Sequence, residues 1–317
     1  MRVAVADVTD TSAPAAAAGR PAARARRYAR WRNSAVAWLF LAPALLLFLY
    51  FKFIPMAQGI RMSLYEVRPY LGDRWVGLDN YRTIVTDRTF RAAIWHTVLL
   101  AAGTTAGSLL LGFALALLLE GQARYLWFVR SAAFLPVVTT MAAVAEVWRI
   151  LYYPAANGTL NGLLSWIGVG PEPFLASEHS SLLSIMGVGI WRGAPYDMMI
   201  FIAGLAAVDR TLYEAAAVDG ASVVRRLRSV TLPALRPVFT ILFTLAAIRG
   251  LRVFTEIYLL TNGAPNGSSE VLMTLIYKLG LQQNDLGVAA AGSVVLFAAT
   301  VVLTVAVRAA RRRGAAG

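Results

Sequence analysis

Long apolar stretches dominate the chain, and short polar connections separate them. A bilayer core about 30 Å thick needs roughly 20 apolar residues in a helix that rises about 1.5 Å per residue. Six stretches approach this length, and the three without any charge are residues 34–51, 92–119 and 286–307. The pattern therefore predicts an all-α polytopic membrane protein with six transmembrane helices.

The other three stretches contain charged residues. Residues 131–145 continue into Glu146 and Arg149, residues 180–208 contain Arg192 and Asp197, and residues 237–260 contain Arg249, Arg252 and Glu256. A charge at the centre of a membrane helix costs about 3 kcal/mol even on insertion scales. We therefore expect these helices to face protein or a water-filled pathway, and we expect Glu146 and Arg149 to form an interfacial pair.

Lys and Arg are unevenly distributed among the connections between these stretches. The connections on one side of the membrane carry 18 of them, and those on the other side carry 7. Because Lys and Arg favour the cytoplasmic side, both termini are predicted to be cytoplasmic. The first external connection does not fit, but four acids partly offset its six arginines, and we expect it to be a folded outer segment. These acids are Glu66, Asp73, Asp79 and Asp87.

The chain is expected to consist of a leader, a membrane domain and a tail. Residues 1–33, rich in Arg and Ala, are predicted to be a disordered cytoplasmic leader. Residues 34–310 form the six-span domain, which includes a cytoplasmic loop at 209–236, and residues 311–317 form a basic tail. A cleaved signal peptide is the alternative at the start, but no small-residue cleavage site follows Phe51, so the first span is expected to be retained.

Composition narrows the possible functions. The chain is 58% hydrophobic and 15% charged, with a net charge of +13 and no cysteine. The absence of cysteine excludes disulfides, thiolate nucleophiles and Cys-ligated metals. His96 and His179 stand too far apart to argue for a metal site. The arginines lie mostly where anionic lipid headgroups account for them, so no nucleic-acid partner is expected.

The loop between spans four and five has helix start and stop signals. Thr211 and Glu214 have the spacing of a capping box, and Gly220 is placed to end the helix that follows. Ser222 then begins a second helix, and Pro233 is expected to stop it. The loop is therefore predicted to be a helix–turn–helix elbow on the cytoplasmic side. An amphipathic connector lying on the membrane is the alternative interpretation.

Within this elbow, the run Glu214-Ala215-Ala216, followed by Asp219-Gly220-Ala221, Val230 and Leu232-Pro233, resembles the EAA loop of binding-protein-dependent ABC importer permeases. Weaker segments extend the resemblance over roughly residues 38–310, to the type I carbohydrate-uptake branch that includes maltose-like and glycerol-phosphate-like systems. Val230 stands for the usual isoleucine, and Val208-Asp209 for the usual Ile-Pro. Asp197 is an unusual acid in span four, which puts the usual substrate in question.

The resemblance implies a permease in which the elbow carries a coupling helix. The implied partners are an ABC ATPase dimer, a second permease subunit that completes a heterodimeric pore, an extracellular solute-binding lipoprotein and a sugar. The residues implied to contact the ATPase are Glu214, Ala215, Ala216, Asp219, Gly220, Ala221, Leu232 and Pro233. Lys52 and Lys278 lie in no glycine-rich phosphate loop, so ATP hydrolysis is expected in a separate subunit. No catalytic residue or cofactor is expected in this chain.

The solute pathway is expected beside spans four and five. Gly193 and Pro195 weaken the helix of span four. The aromatic and charged residues nearby offer the ring faces and hydrogen bonds that a sugar uses: Trp191, Arg192, Tyr196, Asp197, Arg249, Arg252, Glu256 and Tyr258. The competing structural interpretation pairs Arg192 with Asp197, and Arg252 with Glu256, within their own helices.

Three other functions remain open at this stage. The arginines of spans four and five also suit a phosphate, so glycerol-3-phosphate or a glycerophosphodiester is the alternative solute. An ion-coupled secondary carrier would also contain intramembrane acids and broken helices, but it does not explain the elbow. A membrane-embedded enzyme would need a nucleophile paired with a general base, or a cluster of metal-ligating residues at helical spacing, and the sequence contains no recognisable pattern of either kind.

Overall fold

The computed structural model describes residues 36, 38–68, 70–121 and 123–314, and these residues are mainly helical. The predicted leader, residues 1–33, lies outside the described residues. The chain divides into two compact units, one that ends at Gln58 and one that begins at Gly59. The mainly helical architecture predicted from the sequence is confirmed.

The first helix, α1, extends over Trp38–Met62. The boundary between the two units, after Gln58, falls within this helix. Its 25 residues are long and apolar enough to cross a membrane. A π-helical turn, Leu49–Phe53, lies just before Pro55. Proline has no amide hydrogen to donate to the preceding turn, and a locally widened helix is one way to accommodate it. The helix therefore continues beyond the predicted span of 34–51.

A small hairpin and a helix follow α1. Strands β1 (Tyr65–Glu66) and β2 (Arg74–Trp75) pair antiparallel, and α2 extends over Asp79–Thr86. The Glu66 carboxylate accepts hydrogen bonds from Arg68 Nε at 2.8 Å and from Arg74 Nε at 2.9 Å. The hydrogen bond from Arg68, together with the positive charges of both arginines, lowers the pKa of Glu66. The segment is folded, as predicted, and this acid offsets two of its arginines.

Helix α3, Arg88–Leu119, is the central element of the fold. Its amino terminus is capped by Asp87, whose side chain accepts from the backbone N–H groups of Thr89 and Phe90. At the other end, Arg130 donates to the Leu119 carbonyl at 2.8 Å, which satisfies a carbonyl that the helix leaves unpaired. Residues of α3 belong to each of the three hydrophobic clusters of the core.

The predicted third span is two helices rather than one. Helices α4 (Arg124–Val138) and α5 (Met141–Leu151) meet at an angle of 98°. Thr139 and Thr140 have extended backbone torsions at the break, which follows Pro136 by three residues. The expectation of one continuous helix at 131–145 is therefore wrong. The short helix α6, Thr159–Ser165, and a 3-10 turn at Phe174–Ala176 complete the connection to the next long helix.

Helix α7, Ser181–Ala206, packs closely along α3. Glycines of each helix lie against the other: a Cβ built at Gly107 would overlap Ile190 Cδ1, and one built at Gly189 would be 2.9 Å from Thr104 Cγ2. Gly193 and Pro195 do not interrupt α7, although they were expected to weaken it. The packing against α3 stabilises the helix where its own sequence does not.

The rest of the chain alternates short and long helices. Helix α8 is Arg210–Val218, α9 is Val223–Ala234 with a π-helical turn at Leu227–Thr231, and α10 is Arg236–Leu251. Then follow α11 at Thr255–Leu260, α12 at Leu272–Tyr277, which continues as a π-helical turn at Lys278–Gln282, and α13 at Leu286–Gly314. The predicted fifth span, 237–260, is thus divided between α10 and α11.

By length and composition, three helices of the described residues are able to cross a membrane alone: α1, α3 and α13 up to Ala309. The bent pairs α4 with α5 and α9 with α10 raise the number to five if each pair is one span. Helix α7 is long enough, but Arg192, Pro195 and Asp197 reduce its apolar character. The count of six spans stays a prediction.

The contact between α3 and α10 leaves no room for a side chain at Gly250. A Cβ at this position would lie 2.7 Å from the Ala101 Cα and 2.9 Å from its Cβ. We expect Gly250→Ala to lower the free energy of unfolding by about 1–3 kcal/mol, because the two backbones must separate. Thermal unfolding of the purified protein measures the change.

Gly162→Ala in α6 is the matched control. Its Cβ would have nothing within 4 Å, and alanine is the better helix former by up to about 1 kcal/mol. This variant should unfold at the same temperature as the parent or a higher one. Equal destabilisation by both substitutions would contradict the close approach of α3 and α10.

Candidate functional site

A cavity of about 180 Å³ lies among α3, α4, α7, α10 and α11. Apolar residues and glycines form much of its wall. The polar side chains on the wall come from α3, α7, α10 and α11: Thr104, Thr105, Ser108, Arg192, Tyr196, Arg249 and Glu256. The cavity therefore combines hydroxyl groups, an aromatic ring and charges of both signs.

The Arg249 guanidinium joins α10 to α7. Its Nη2 donates to Asp197 Oδ1 at 2.8 Å, and the Asp197 side chain is fully buried while that of Arg249 is 43% exposed. The guanidinium also lies 4.9 Å from the centroid of the Tyr196 ring, a cation–π arrangement. A buried carboxylate needs a nearby cation, and Arg249 supplies it.

A second ion pair joins α7 to α11. Arg192 Nη1 lies 3.5 Å from Glu256 Oε1, and both side chains are partly buried. The two acids thus have partners other than those that the competing structural interpretation gave them, and its pairs Arg192–Asp197 and Arg252–Glu256 are not formed. A separation of five residues places Arg192 and Asp197 on different sides of α7. Arg252 is the C-cap of α10 and the first non-helical residue of the break before α11, so it does not share a helix face with Glu256.

The hydroxyl groups of α3 were missed in the sequence. Thr104 and Ser108 are four residues apart on one helix face, and each donates to a backbone carbonyl of its own helix. Thr105 Oγ1 is buried without a hydrogen-bond partner in the described part of the chain. The only available signal was a run of small polar residues in an otherwise apolar span, and such runs also serve helix packing.

Three of the predicted pathway residues are placed away from the cavity wall. Trp191 packs edge-on against Trp148, with ring centroids 5.4 Å apart. Tyr258 stacks on Phe254 at 5.3 Å, and Arg252 is exposed. Of the eight predicted residues, the structure therefore brings four to the wall and a fifth, Asp197, directly behind it.

The elbow, residues 209–236, begins with a cap that differs from the predicted one. Asp209 is the N-cap of α8 and accepts from the Thr211 N–H at 2.9 Å. This backbone hydrogen bond lowers the pKa of Asp209, since it favours the charged carboxylate. The predicted capping box of Thr211 with Glu214 is wrong, because both residues already lie inside the helix.

The turn of the elbow follows the predicted chemistry more closely. Gly220 has φ +71°, in the left-handed region that favours glycine. Ser222 caps the second arm by accepting from the Arg225 N–H at 3.4 Å. The hydroxyls of Tyr213 and Thr231, 3.0 Å apart, link the two arms. Pro233 does not stop α9, which continues to Ala234 and then bends by 67° into α10.

The predicted coupling residues form an accessible surface on this elbow. Five of them are exposed: Glu214, Ala215, Asp219, Gly220 and Pro233. The other three are half-buried: Ala216, Ala221 and Leu232. A Cβ built at Gly220 would have nothing within 4 Å, so a partner backbone is able to approach the turn.

Other predicted polar residues have local roles. Glu146 and Arg149 form an exposed ion pair at 3.2 Å, as predicted. His96 Nδ1 lies 2.9 Å from the Glu270 carbonyl, and His179 is exposed. Within the described residues, no group of three or more His, Cys, Asp and Glu side chains is arranged to hold a metal ion.

A second concavity, of about 740 Å³, is almost entirely apolar. It is lined by α3 and α10, with Leu303 of α13 and Leu232 of α9 at its margin. Ala102 and Ala106 on its α3 side are small and exposed. Small residues on a membrane helix allow another helix to approach closely.

Comparison with known proteins identifies the class to which this fold and this elbow belong. Residues 100–314, more than half of the chain, match the model of the family described as binding-protein-dependent transport system inner membrane component. The chain belongs to this family and is a membrane subunit of a transport system.

Relatives and solved structures make the class more specific. The chain is 35% identical to the inner membrane ABC transporter permease protein YcjO of Escherichia coli, over 82% of this chain and 89% of that protein. It is 30% identical to the trehalose/maltose transport system permease protein MalF of Thermococcus litoralis, over 87% and 93%. It also matches a crystal structure of a bacterial ABC transporter for the acidic polysaccharide alginate, with a TM-score of 0.79, 26% identity and coverage of 91% and 99%. The chain is an ABC importer permease.

The ion pairs of the cavity can be tested by double-mutant cycles. Asp197→Asn and Arg249→Gln should be coupled by about 1–2 kcal/mol in the free energy of unfolding, because they remove the two halves of one contact. Asp197→Asn and Arg192→Gln should be additive to within about 0.5 kcal/mol. Unfolding of the purified single and double variants gives both coupling energies. Stronger coupling in the second cycle would instead favour the Arg192–Asp197 pair of the competing structural interpretation.

Proposed function

We propose that the chain is a permease subunit that forms half of a heterodimeric pore for a sugar. It crosses the cell membrane six times and has both termini in the cytoplasm. An extracellular solute-binding lipoprotein delivers the sugar, and a separate ABC ATPase dimer drives the transport. The names of the relatives support this proposal, since they include permeases for trehalose/maltose and for arabinooligosaccharides. A related alginate transporter has also been crystallised with a periplasmic protein that holds an alginate pentasaccharide.

The charge balance of the cavity supports a sugar as the solute. Each arginine on its wall is paired with an acid, so the four charged groups sum to zero. The hydroxyls of α3, the paired guanidinium groups and the Tyr196 ring match the hydroxyls and apolar faces of a sugar. Glycerol-3-phosphate or a glycerophosphodiester is less well matched, because a phosphate must compete with Asp197 and Glu256 for the arginines.

The elbow supports an external ATPase as the source of energy. Its exposed turn is capped at both arms and braced between them, so it is able to transmit a displacement to α7 and α10. In this proposal, Ala215, Ala216 and Ala221 allow close approach of the ATPase, and Glu214 and Asp219 offer charge-assisted hydrogen bonds to it. Leu232 and Pro233 lie in the last turn of α9, just before the bend into α10.

The apolar concavity supports a second permease subunit. Its wall is formed by small and apolar side chains of α3 and α10, the helices that also border the cavity. A partner that covers this wall would complete a pathway around the cavity.

An ion-coupled secondary carrier is the alternative of a different class. Such a carrier uses an intramembrane acid that binds and releases its ion. Asp197 and Glu256 are both held by arginines, which disfavours such a role. The elbow also has no function in that mechanism.

Uptake measurements separate these possibilities. Vesicles that contain the chain with its ATPase, second permease and binding protein should accumulate a radiolabelled maltooligosaccharide only when ATP is inside. Unlabelled glycerol-3-phosphate, added in tenfold excess, should compete poorly with the maltooligosaccharide for uptake. Accumulation driven by an ion gradient without ATP would reject the importer assignment, and preferential uptake of glycerol-3-phosphate would replace the sugar.

Gly220 provides a direct test of coupling. We expect Gly220→Trp to lower uptake at least tenfold while ATP hydrolysis continues, because a bulky residue strains the left-handed turn and obstructs the partner surface. Uptake and phosphate release are measured on the same vesicles, and the amount of inserted protein is measured by blotting.

Gly220→Asn is the matched control for the backbone. Asparagine tolerates the left-handed conformation better than other residues that carry a side chain. This variant should keep more of its uptake than Gly220→Trp at equal insertion. Normal uptake in Gly220→Trp would remove the turn from the coupling mechanism.

A further inference from the structure

We propose that Asp197 is a positioning residue that sets the charge selectivity of the cavity by neutralising and orienting Arg249. The inference rests on the proposed function, since it concerns the solute that the cavity admits. It assigns to one buried acid the preference for neutral over anionic solutes. Asp197 acts through Arg249, because its own side chain does not reach the cavity wall.

Asp197 is held in place by the contact between α3 and α7. A Cβ built at Gly112 of α3 would lie 2.9 Å from the Asp197 Cβ and 2.8 Å from the Ala194 carbonyl oxygen. The absence of a side chain at Gly112 therefore makes room for the acid. Asp197 Oδ1 accepts from Arg249, and Oδ2 is buried without a partner in the described part of the chain. An acid that is so confined has few alternatives to the arginine.

Arg249 is held from two sides and open on the cavity side. The carboxylate of Asp197 fixes one nitrogen, and the Tyr196 ring supports the guanidinium at 4.9 Å. The side chain lines the cavity and is 43% exposed. An arginine has five N–H donors, so those that Asp197 does not use remain available to a solute oxygen.

The charge of Asp197 determines the net charge at this part of the cavity wall. With Asp197 ionised, Arg249 offers hydrogen bonds without a net positive charge, which suits a hydroxyl group. Without the acid, one uncompensated positive charge borders the cavity, while Arg192 remains paired with Glu256. Such a charge attracts anions and repels cations over several ångströms in a partly desolvated site.

The absence of cysteine allows the charge at the cavity to be measured directly. Thr104→Cys places on the wall a thiol of similar size, the only one in this chain, and its labelling is followed on this chain after the importer has been assembled in membrane vesicles. The thiol is labelled in parallel with a neutral, an anionic and a cationic methanethiosulfonate reagent. Adding Asp197→Asn should raise the ratio of anionic to cationic labelling rates about fivefold, and the rate of the neutral reagent should not change.

Three further variants test whether a change in the labelling ratio comes from the Asp197–Arg249 pair. Asp197→Asn with Arg249→Gln should return the ratio to the parent value, because the wall is neutral again. Arg249→Gln alone should lower the ratio, which tests the same pair even if Asp197→Asn fails to insert. Glu146→Gln, which removes an acid from the exposed pair with Arg149, should leave the ratio unchanged.

The inference is overturned by a uniform change in all three labelling rates, which would indicate altered packing rather than altered charge. An unchanged ratio in both Asp197→Asn and Arg249→Gln would overturn it as well. Labelling requires no transported solute, so the result is independent of the uptake assays. A failed sugar assay with the expected ratios would therefore reject the proposed solute and leave the role of Asp197 intact.

Discussion

A carboxylate buried among membrane helices must have a cation beside it, and this constraint organises the centre of the molecule. Asp197 is fully buried on α7, and Arg249 reaches it from α10. The pair fixes the spacing of these two helices, because separating them would leave an unpaired charge in an apolar environment. Arg192 and Glu256 repeat the arrangement between α7 and α11. Charged residues thus hold together the wall of a cavity in a mainly apolar protein.

The glycines of α3 and α7 provide the space in which this arrangement exists. Gly112 makes room for Asp197, and Gly250 lets α10 meet α3 at Ala101. Since the helices approach so closely, the hydroxyls of α3 come to the same cavity as the charges of α7 and α10. Close packing and a polar cavity are therefore two results of the same small residues.

The elbow and the cavity are connected through two helices. Helix α7 leads from the cavity wall to Asp209, and α10 leads from the end of the elbow back to Arg249. At the junction, Gly204 of α7 lies against Leu235 and Val238, so the ends of both helices are packed together. A displacement of the elbow must therefore move two walls of the cavity that an ion pair already joins. This continuity gives a physical basis for the proposed coupling between an ATPase and the solute pathway.

The sequence by itself determined the helical membrane class, the position of the elbow and the need for glycine at 220, because apolar length, helix caps and backbone torsion are local properties. It also located four of the seven polar side chains on the cavity wall, since charged and aromatic residues are conspicuous in apolar helices. Only the tertiary structure decided that Asp197 pairs with Arg249 and Glu256 with Arg192, and that α3 contributes its hydroxyls. The two ion pairs join residues that are 52 and 64 positions apart in the chain. Their geometry depends on how the helices pack and on the break in the chain at Arg252, and no local sequence pattern encodes either of these.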